Sequence, residues 1–181
     1  MKSILTIFCC LFFVVASNSQ ERYLTKNGAI TFYSKAPMED ITANNNQVLS
    51  IVDASSGKMA ISILMKSFMF KKALMQEHFN ENYVESDKYP KATFKGSILN
   101  FDAINATASK FKVKGVLTIH GVSKEMVIEA NFTKTAEAIL AEGDFIVNLD
   151  DFKIKIPAVV AKNIAKNIKV SFNLNHTPYK K

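Results

Sequence analysis

The sequence predicts an all-β protein with one inserted helix, folded as a single antiparallel eight-stranded β-barrel. Three observations carry that prediction. Runs of alternating apolar and polar residues recur between Arg22 and Asn175, and side chains on a strand alternate between its two faces. Short turn signals join most of the runs, so sequence neighbours pair antiparallel. A single stretch, Lys71 to Val84, carries helical spacing instead. Strands with one apolar and one polar face hide that face and their edges best by closing on themselves. A two-sheet sandwich is the alternative this pattern leaves open.

Residues 1–19 are expected to be a cleaved signal peptide. Lys2 supplies the positive start, and Ile4 to Val15 is an uninterrupted apolar run. At about a dozen residues it suits a signal segment and falls short of the ~20 that span a bilayer. Ala16-Ser17-Asn18-Ser19 is a small-residue exit. Both cysteines, Cys9 and Cys10, lie in this segment, so residues 20–181 form one domain without disulfide or thiol chemistry. The expected address is periplasmic or secreted.

Arg22 to Lys35 holds an Asn27-Gly28 turn signal, then Ile30, Phe32 and Ser34 on one face. Pro37 and the polar Asn44-Asn45-Asn46 read as breaks. Gln47 to Ala54 is a strand and Ser55-Ser56-Gly57 a turn. Lys58 to Phe70 reads as one longer strand whose apolar residues fall on both parities, which implies burial on both faces, one under a covering helix. In the helix, Leu74, Met75, His78, Phe79 and Asn82 share a face, and Ser86 to Pro90 ends it. Ala92, Phe94, Gly96 and Ile98 face one way in the next strand.

Lys110 to Thr133 follows as a ribbon hinged at His120-Gly121. Its apolar row is Phe111, Val113, Gly115, Leu117 and Ile119, continued by Met126, Ile128, Ala130 and Phe132. Ile139 to Leu149 presents Ile139, Ala141, Gly143, Phe145, Val147 and Leu149. After Pro157 and a short apolar helical turn, Ile168, Val170, Phe172 and Leu174 complete the set.

An eight-stranded barrel is either filled by its own side chains or holds one small ligand. The inward row mixes large residues with small ones. The small ones either fit the taper of a packed barrel or leave an elongated apolar cavity. No acidic residue occupies the inward parity of the last five strands, so such a cavity suits a hydrocarbon chain. The candidate ligand-binding residues are Phe68, Met75, His78, Phe79, Phe94, Phe111, Leu117, Ile119, Met126, Ile128, Phe132, Phe145 and Phe172.

His78 has two readings: a core histidine bonded to backbone, or a polar group at the cavity mouth with Asn82 one turn on. His120 reads as structural, and His176 as exposed near the C-terminus. The three histidines have no metal-ligand spacing and no thiolate to help. No nucleophile elbow or phosphate loop is present, and Asp150-Asp151 and Glu39-Asp40 are solvated loop charge. No catalytic residue, metal or cofactor is expected. The formal charge is +7. Lysines spread along strand faces with a single arginine, Arg22, disfavour nucleic acid. They read as a solvated surface, or as attraction to an anionic membrane surface. A homodimer is left open.

Two blocks, FKKALMQEHFNENYVESDKYPKATFKG (Phe70–Gly96) and VKGVLTIHGVSKEM (Val113–Met126), resemble the YceI-like family of extracytoplasmic lipid-binding proteins. The matching features are Glu77-His78, the Pro90-to-Phe94 exit, Gly115-x-Leu117-x-Ile119-His120-Gly121 and Ser123-Lys124. The resemblance implies a lipocalin-like barrel that binds a polyisoprenoid or fatty-acid-like chain without catalysis. The alternatives are an envelope interaction barrel that acts through its basic surface, and a hydrolase that uses His78.

Overall fold

The structure is a computed structural model that describes residues 21–179. The leader expected over residues 1–19 lies outside the described residues, as do its two cysteines.

Among the described residues nine strands follow one another: β1 (Arg22–Lys35), β2 (Asp40–Asp53), β3 (Lys58–Leu64), β4 (Met69–Phe70), β5 (Lys91–Ile98), β6 (Ser109–Ile119), β7 (Val122–Lys134), β8 (Ile139–Asn148) and β9 (Asn167–Tyr179). The long strands pair antiparallel in the order β1-β9-β8-β7-β6-β5-β3-β2, and β2 returns to β1. That last pairing runs from Arg22↔Asp53 to Lys35↔Asp40 and closes an eight-stranded barrel. It excludes the sandwich. The two-residue β4 extends the barrel wall along β2.

Closure follows from the alternation. Inward positions on β5 to β9 are those of one parity, and Ile98, Val113, Ile128, Phe132, Ala141 and Leu174 are buried there. Their outward neighbours, such as Lys112, Lys114 and Glu129, are exposed. A one-residue slip would reverse the two sets.

Several features differ from the sequence reading. Asn27-Gly28 is not a turn. It sits inside β1 at a bulge, with register shifts on both sides of Gly28. A Cβ at Gly28 would lie 2.5 Å from Leu174 Cδ2, so this glycine serves close packing, not reversal. Asn44-Asn45-Asn46 is no break either, because β2 runs through it. Asn45 is buried, donates from Nδ2 to the Leu64 carbonyl at 3.0 Å, and accepts from the Gln47 amide at 2.9 Å.

The expected strand over Lys58 to Phe70 is interrupted by a 3-10 turn at Met65–Ser67. The turn shifts the phase, so Met59 and Ile63 before it, Met65 within it and Phe68 after it all reach the interior. Apolar residues on both parities therefore record a change of phase, not burial on two faces. Finally, the helix is shorter than its pattern. α1 covers Ala73–His78 and passes into a single wider π turn at Phe79–Tyr83.

The barrel has one packed end and one covered end. Tyr23, Val52, Phe101, Phe132 and Ile139 fill the first. His176 belongs there too, fully buried and not exposed as expected. β9 continues past Asn175, and the same parity that buries Leu174 turns His176 inward opposite Ile139. Its Nδ1–H donates to the Ile139 carbonyl at 2.9 Å, and the Ser50 hydroxyl donates to its Nε2 at 2.8 Å. Burial pushes this imidazole below its ordinary pKa, and the hydrogen bond to Ile139 pulls weakly the other way.

Candidate functional site

The covered end holds an apolar cavity of about 400 Å³. Its walls come from the ends of nearly every strand: Ile30 and Phe32 of β1, Ile63 of β3, Ala92 of β5, Leu117 and Ile119 of β6, Phe145 and Val147 of β8, Ile168 and Val170 of β9. Its roof is α1 with the π turn, which present Met75, Phe79 and Tyr83. The wider turn brings these residues, spaced four apart, onto one line over the opening. Burial raises the Tyr83 phenol pKa. The loop after β8 supplies Ile154, Ile156, Val160 and Ile164.

Four phenylalanines tie the roof to the wall. Phe79 lies 5.5 Å from Phe32, 5.7 Å from Phe68 and 5.1 Å from Phe70, centroid to centroid. Such pairs add about 0.5–1.5 kcal/mol each beyond their burial. Lys72 pairs with Glu39 across the mouth, and the Gln76 side chain accepts from the Phe70 amide at 3.3 Å. The helix is therefore held by aromatic packing and a few polar ties, with no side-chain cap at its N-terminus.

Of the sequence candidates, Phe68, Met75, His78, Phe79, Leu117, Ile119 and Phe145 line the cavity. Phe94, Phe111, Met126, Ile128, Phe132 and Phe172 do not. They pack deeper in the barrel, and the reason lies in the inward glycines. Those glycines do not leave open volume. A Cβ at Gly115 would sit 2.5 Å from Phe94 Cζ and 2.6 Å from the Lys95 carbonyl oxygen. One at Gly143 would sit 3.1 Å from Phe172 Cζ. The aromatic rings occupy the space the glycines vacate and form a packed layer below the cavity. Phe111 and Phe132 pair edge to face at 6.2 Å, nearer the closed end.

Most of the remaining lining is Ile, Val and Ala at inward positions of strand ends, together with the loop of Ile154 to Ile164. Choosing the larger aromatics along whole strands overlooked them. The pattern did hold a signal, since inward residues at the helical ends of β1, β3, β5, β6, β8 and β9 are lining residues.

His78 is half-buried on the lining. It makes no hydrogen bond or ion pair with any described residue, which leaves the mouth reading and removes the backbone-bonded one. A shallow outer pocket continues from it, lined by Asn82, Lys155, Pro157 and Val159. No serine or carboxylate partners His78 among the described residues. The Ser50–His176 pair lies sealed in the closed end. Among the described residues no three His, Cys, Asp or Glu side chains gather as metal ligands.

The third histidine is structural. His120 and Gly121, with φ of 52° and 73°, form the two-residue turn between β6 and β7. His120 Nε2–H donates to Glu85 Oε2 at 2.6 Å, and Nδ1 faces the Phe152 carbonyl at 3.3 Å. The Tyr89 ring packs on the imidazole at 4.7 Å. The hydrogen bond from His120 holds the Glu85 carboxyl below the usual carboxylate range. The two sequence blocks singled out earlier thus meet in space. Phe94 packs on Gly115, Tyr89 on His120 and Gly121, and Glu85 on His120.

A closed antiparallel barrel with one apolar, end-opening cavity defines the class: a small barrel able to hold one apolar ligand. Residues 24–176 match the model of the YceI-like domain, and the chain belongs to that family. A UPF0312 protein of Pseudomonas savastanoi pv. phaseolicola is 27% identical over 121 residues, 62% of this chain and 60% of the relative. The chain thus matches about 60% of the length of such curated relatives. Among solved structures, a polyisoprenoid-binding domain from Saccharophagus degradans, implicated in plant cell wall breakdown, superposes with a TM-score of 0.74. Its identity is 16%, covering 87% of this chain and 98% of that one. BcnA of Burkholderia cenocepacia gives 0.68 at 17% identity, covering 82% and 95%. The Campylobacter jejuni YceI protein gives 0.55 at 19%, covering 77% and 85%. At these identities the likeness is one of fold.

Proposed function

We propose that this protein is an extracytoplasmic carrier that shelters one long-chain apolar or amphiphilic lipid, a polyisoprenoid or fatty-acid-like chain. The tail enters the cavity, and the polar end stays at the mouth beside His78, Asn82 and Lys155. The observation that carries the reading is the cavity itself: about 400 Å³, walled by aliphatic and aromatic side chains and open at one end. With each carbon filling the ~30 Å³ that one liquid water occupies, it takes roughly thirteen carbons. A longer chain leaves its remainder in the mouth. The Saccharophagus domain of the same fold, described as polyisoprenoid-binding, supports this ligand class. The cavity weighs against a barrel packed solid and acting through its basic surface alone. The lone His78 weighs against a hydrolase.

The energetics suit a carrier. Burying roughly thirteen methylenes at ~0.8 kcal/mol each gives about 10 kcal/mol from water, against an association cost of ~4–15 kcal/mol. A tail that starts in a bilayer exchanges one apolar surrounding for another, so loading and release lie near balance.

Native mass spectrometry of the protein isolated from its host tests the proposal. One lipid per chain, released on denaturation, is the expected result. Protein that arrives without an adduct and takes up none from lipid vesicles refutes it.

A further inference from the structure

The most exposed large apolar side chains among the described residues are Val159, Met38, Met69 and Leu74, exposed by 60–91%. They are far apart in sequence, yet each sits on a segment that frames the cavity mouth. Met38 is in the β1–β2 loop next to the lining residue Glu39, and Met69 is beside the lining residue Phe70. Leu74 is on α1 and itself lines the opening, and Val159 is in the loop over the outer pocket. Single exposed apolar residues are ordinary, but a set gathered around an opening is not.

Unpaired positive charge is gathered there as well. Segments 35–40, 69–83 and 149–166 of this end carry seven lysines against six carboxylates. Of the carboxylates, Glu39, Asp40, Asp150 and Asp151 are held by Lys72, Tyr33, Lys166 and Lys124, so five lysines and only Glu77 and Glu81 are left without a partner among the described residues. The opposite end is nearly balanced, with five basic and four acidic residues over 21–27, 53–58, 99–110 and 134–139. Lys72 is paired with Glu39 and Lys166 with Asp150. Lys71, Lys155 and Lys162 are exposed and have no partner among the described residues.

We propose that the mouth rim is a membrane-docking face: Leu74, Val159 and Met38 enter the headgroup region of an anionic bilayer while Lys71, Lys155 and Lys162 meet its lipid phosphates. Protruding apolar groups among cations suit an interface that is apolar below and anionic above. A protein partner would call for a shaped groove, and the rim presents a ring of separate tips. Docked this way, the cavity opens directly onto the acyl region. The purpose of the face rests on the proposed lipid binding, but docking is measured independently of it.

The test is co-sedimentation with phosphatidylcholine vesicles, with and without about a third phosphatidylglycerol. The parent protein, isolated from its host, is compared with Leu74→Glu/Val159→Glu and with Val127→Glu/Ile146→Glu. The second pair lies on the barrel wall with exposures of 57% and 56%, so it adds the same charge at exposed apolar sites away from the mouth. Thermal unfolding checks that all three are folded.

The expected result is binding to anionic vesicles that weakens with salt, falls at least about tenfold in the rim variant and changes less than about twofold in the wall variant. Equal losses in the two variants, equal binding to neutral vesicles, or no binding by the parent overturns it. Native mass spectrometry of the same samples separates the two claims. Protein that docks through the rim but carries no lipid keeps the docking face and ends the carrier reading. Protein that carries lipid but ignores vesicles does the reverse.

Discussion

Ala92→Leu puts three more carbons into the cavity from the β5 wall. Ala92 is an inward lining residue, paired with Ile63 of β3, which also lines the cavity. At ~30 Å³ each, three carbons take roughly 90 Å³, nearly a quarter of the available space. The tail then loses room for about three methylenes, or roughly 2.4 kcal/mol of burial. That corresponds to about fifty-fold weaker binding.

Stability should move differently. Extra carbons placed in a hollow gain contacts, so the variant is expected to unfold at the same urea concentration as its parent or at a higher one. In a filled core the same change costs about 1–3 kcal/mol. Displacement of a fluorescent polyene fatty acid reads the affinity, and urea unfolding reads the stability. A variant that loses more than about 1 kcal/mol shows that this end is packed. A variant that binds the probe as tightly as its parent shows that the tail lies elsewhere. Either outcome refutes the reasoning.

Gly115→Ala is expected to cost about 1–3 kcal/mol in urea unfolding, because the new Cβ meets Phe94 Cζ at 2.5 Å and the Lys95 carbonyl at 2.6 Å. Asn45→Leu should cost on the order of 1–3 kcal/mol by the same measurement, since it removes from a fully buried side chain both the donor to the Leu64 carbonyl at 3.0 Å and the acceptor of the Gln47 amide at 2.9 Å. His176 is held neutral by burial, with its folded pKa lowered. The unfolded chain therefore binds the extra proton, so its contribution is present above the ordinary histidine value of about 6.5 and is lost as pH falls below it. His176→Gln should flatten that part of the stability-versus-pH curve. Glu85 has a lowered folded pKa, caused first by the hydrogen bond from His120. Its contribution is present above the ordinary glutamate value and is lost as pH falls through the lowered one. An NMR titration of His120→Asn, which keeps a residue suited to the positive φ of that turn, should show the Glu85 pKa moving up.

The inward rows of β5 to β9 were legible because strand periodicity is local: Ala92, Phe94, Gly96 and Ile98 face one way whatever surrounds them. The departures came where a local signal met a non-local demand. Asn27-Gly28 carries turn chemistry, yet Leu174 from the far end of the chain packs against Gly28. Asn45 looks like a breaker until the Leu64 carbonyl gives it a reason to be buried. His176 looks like a polar terminal residue until Ile139 and Ser50 satisfy both ring nitrogens.

For the candidate site, the helix face of Met75, His78 and Phe79 was readable from spacing. The depth at which the cavity stops was not. Gly115 and Gly143 are small in the sequence, and only the positions of the Phe94 and Phe172 rings show that their space is taken.

By itself, the sequence determined the β class, the inward parity of five strands, the position of the helix and the two blocks that carry the family likeness. These are properties of neighbours along the chain, set by periodicity and turn chemistry. Tertiary structure alone decided closure through the β1–β2 pairing, the end of the barrel that is hollow, and the gathering of Met38, Leu74 and Val159 around one opening. Those depend on residues brought together from distant parts of the chain, and no local pattern records what fills the space in front of a side chain.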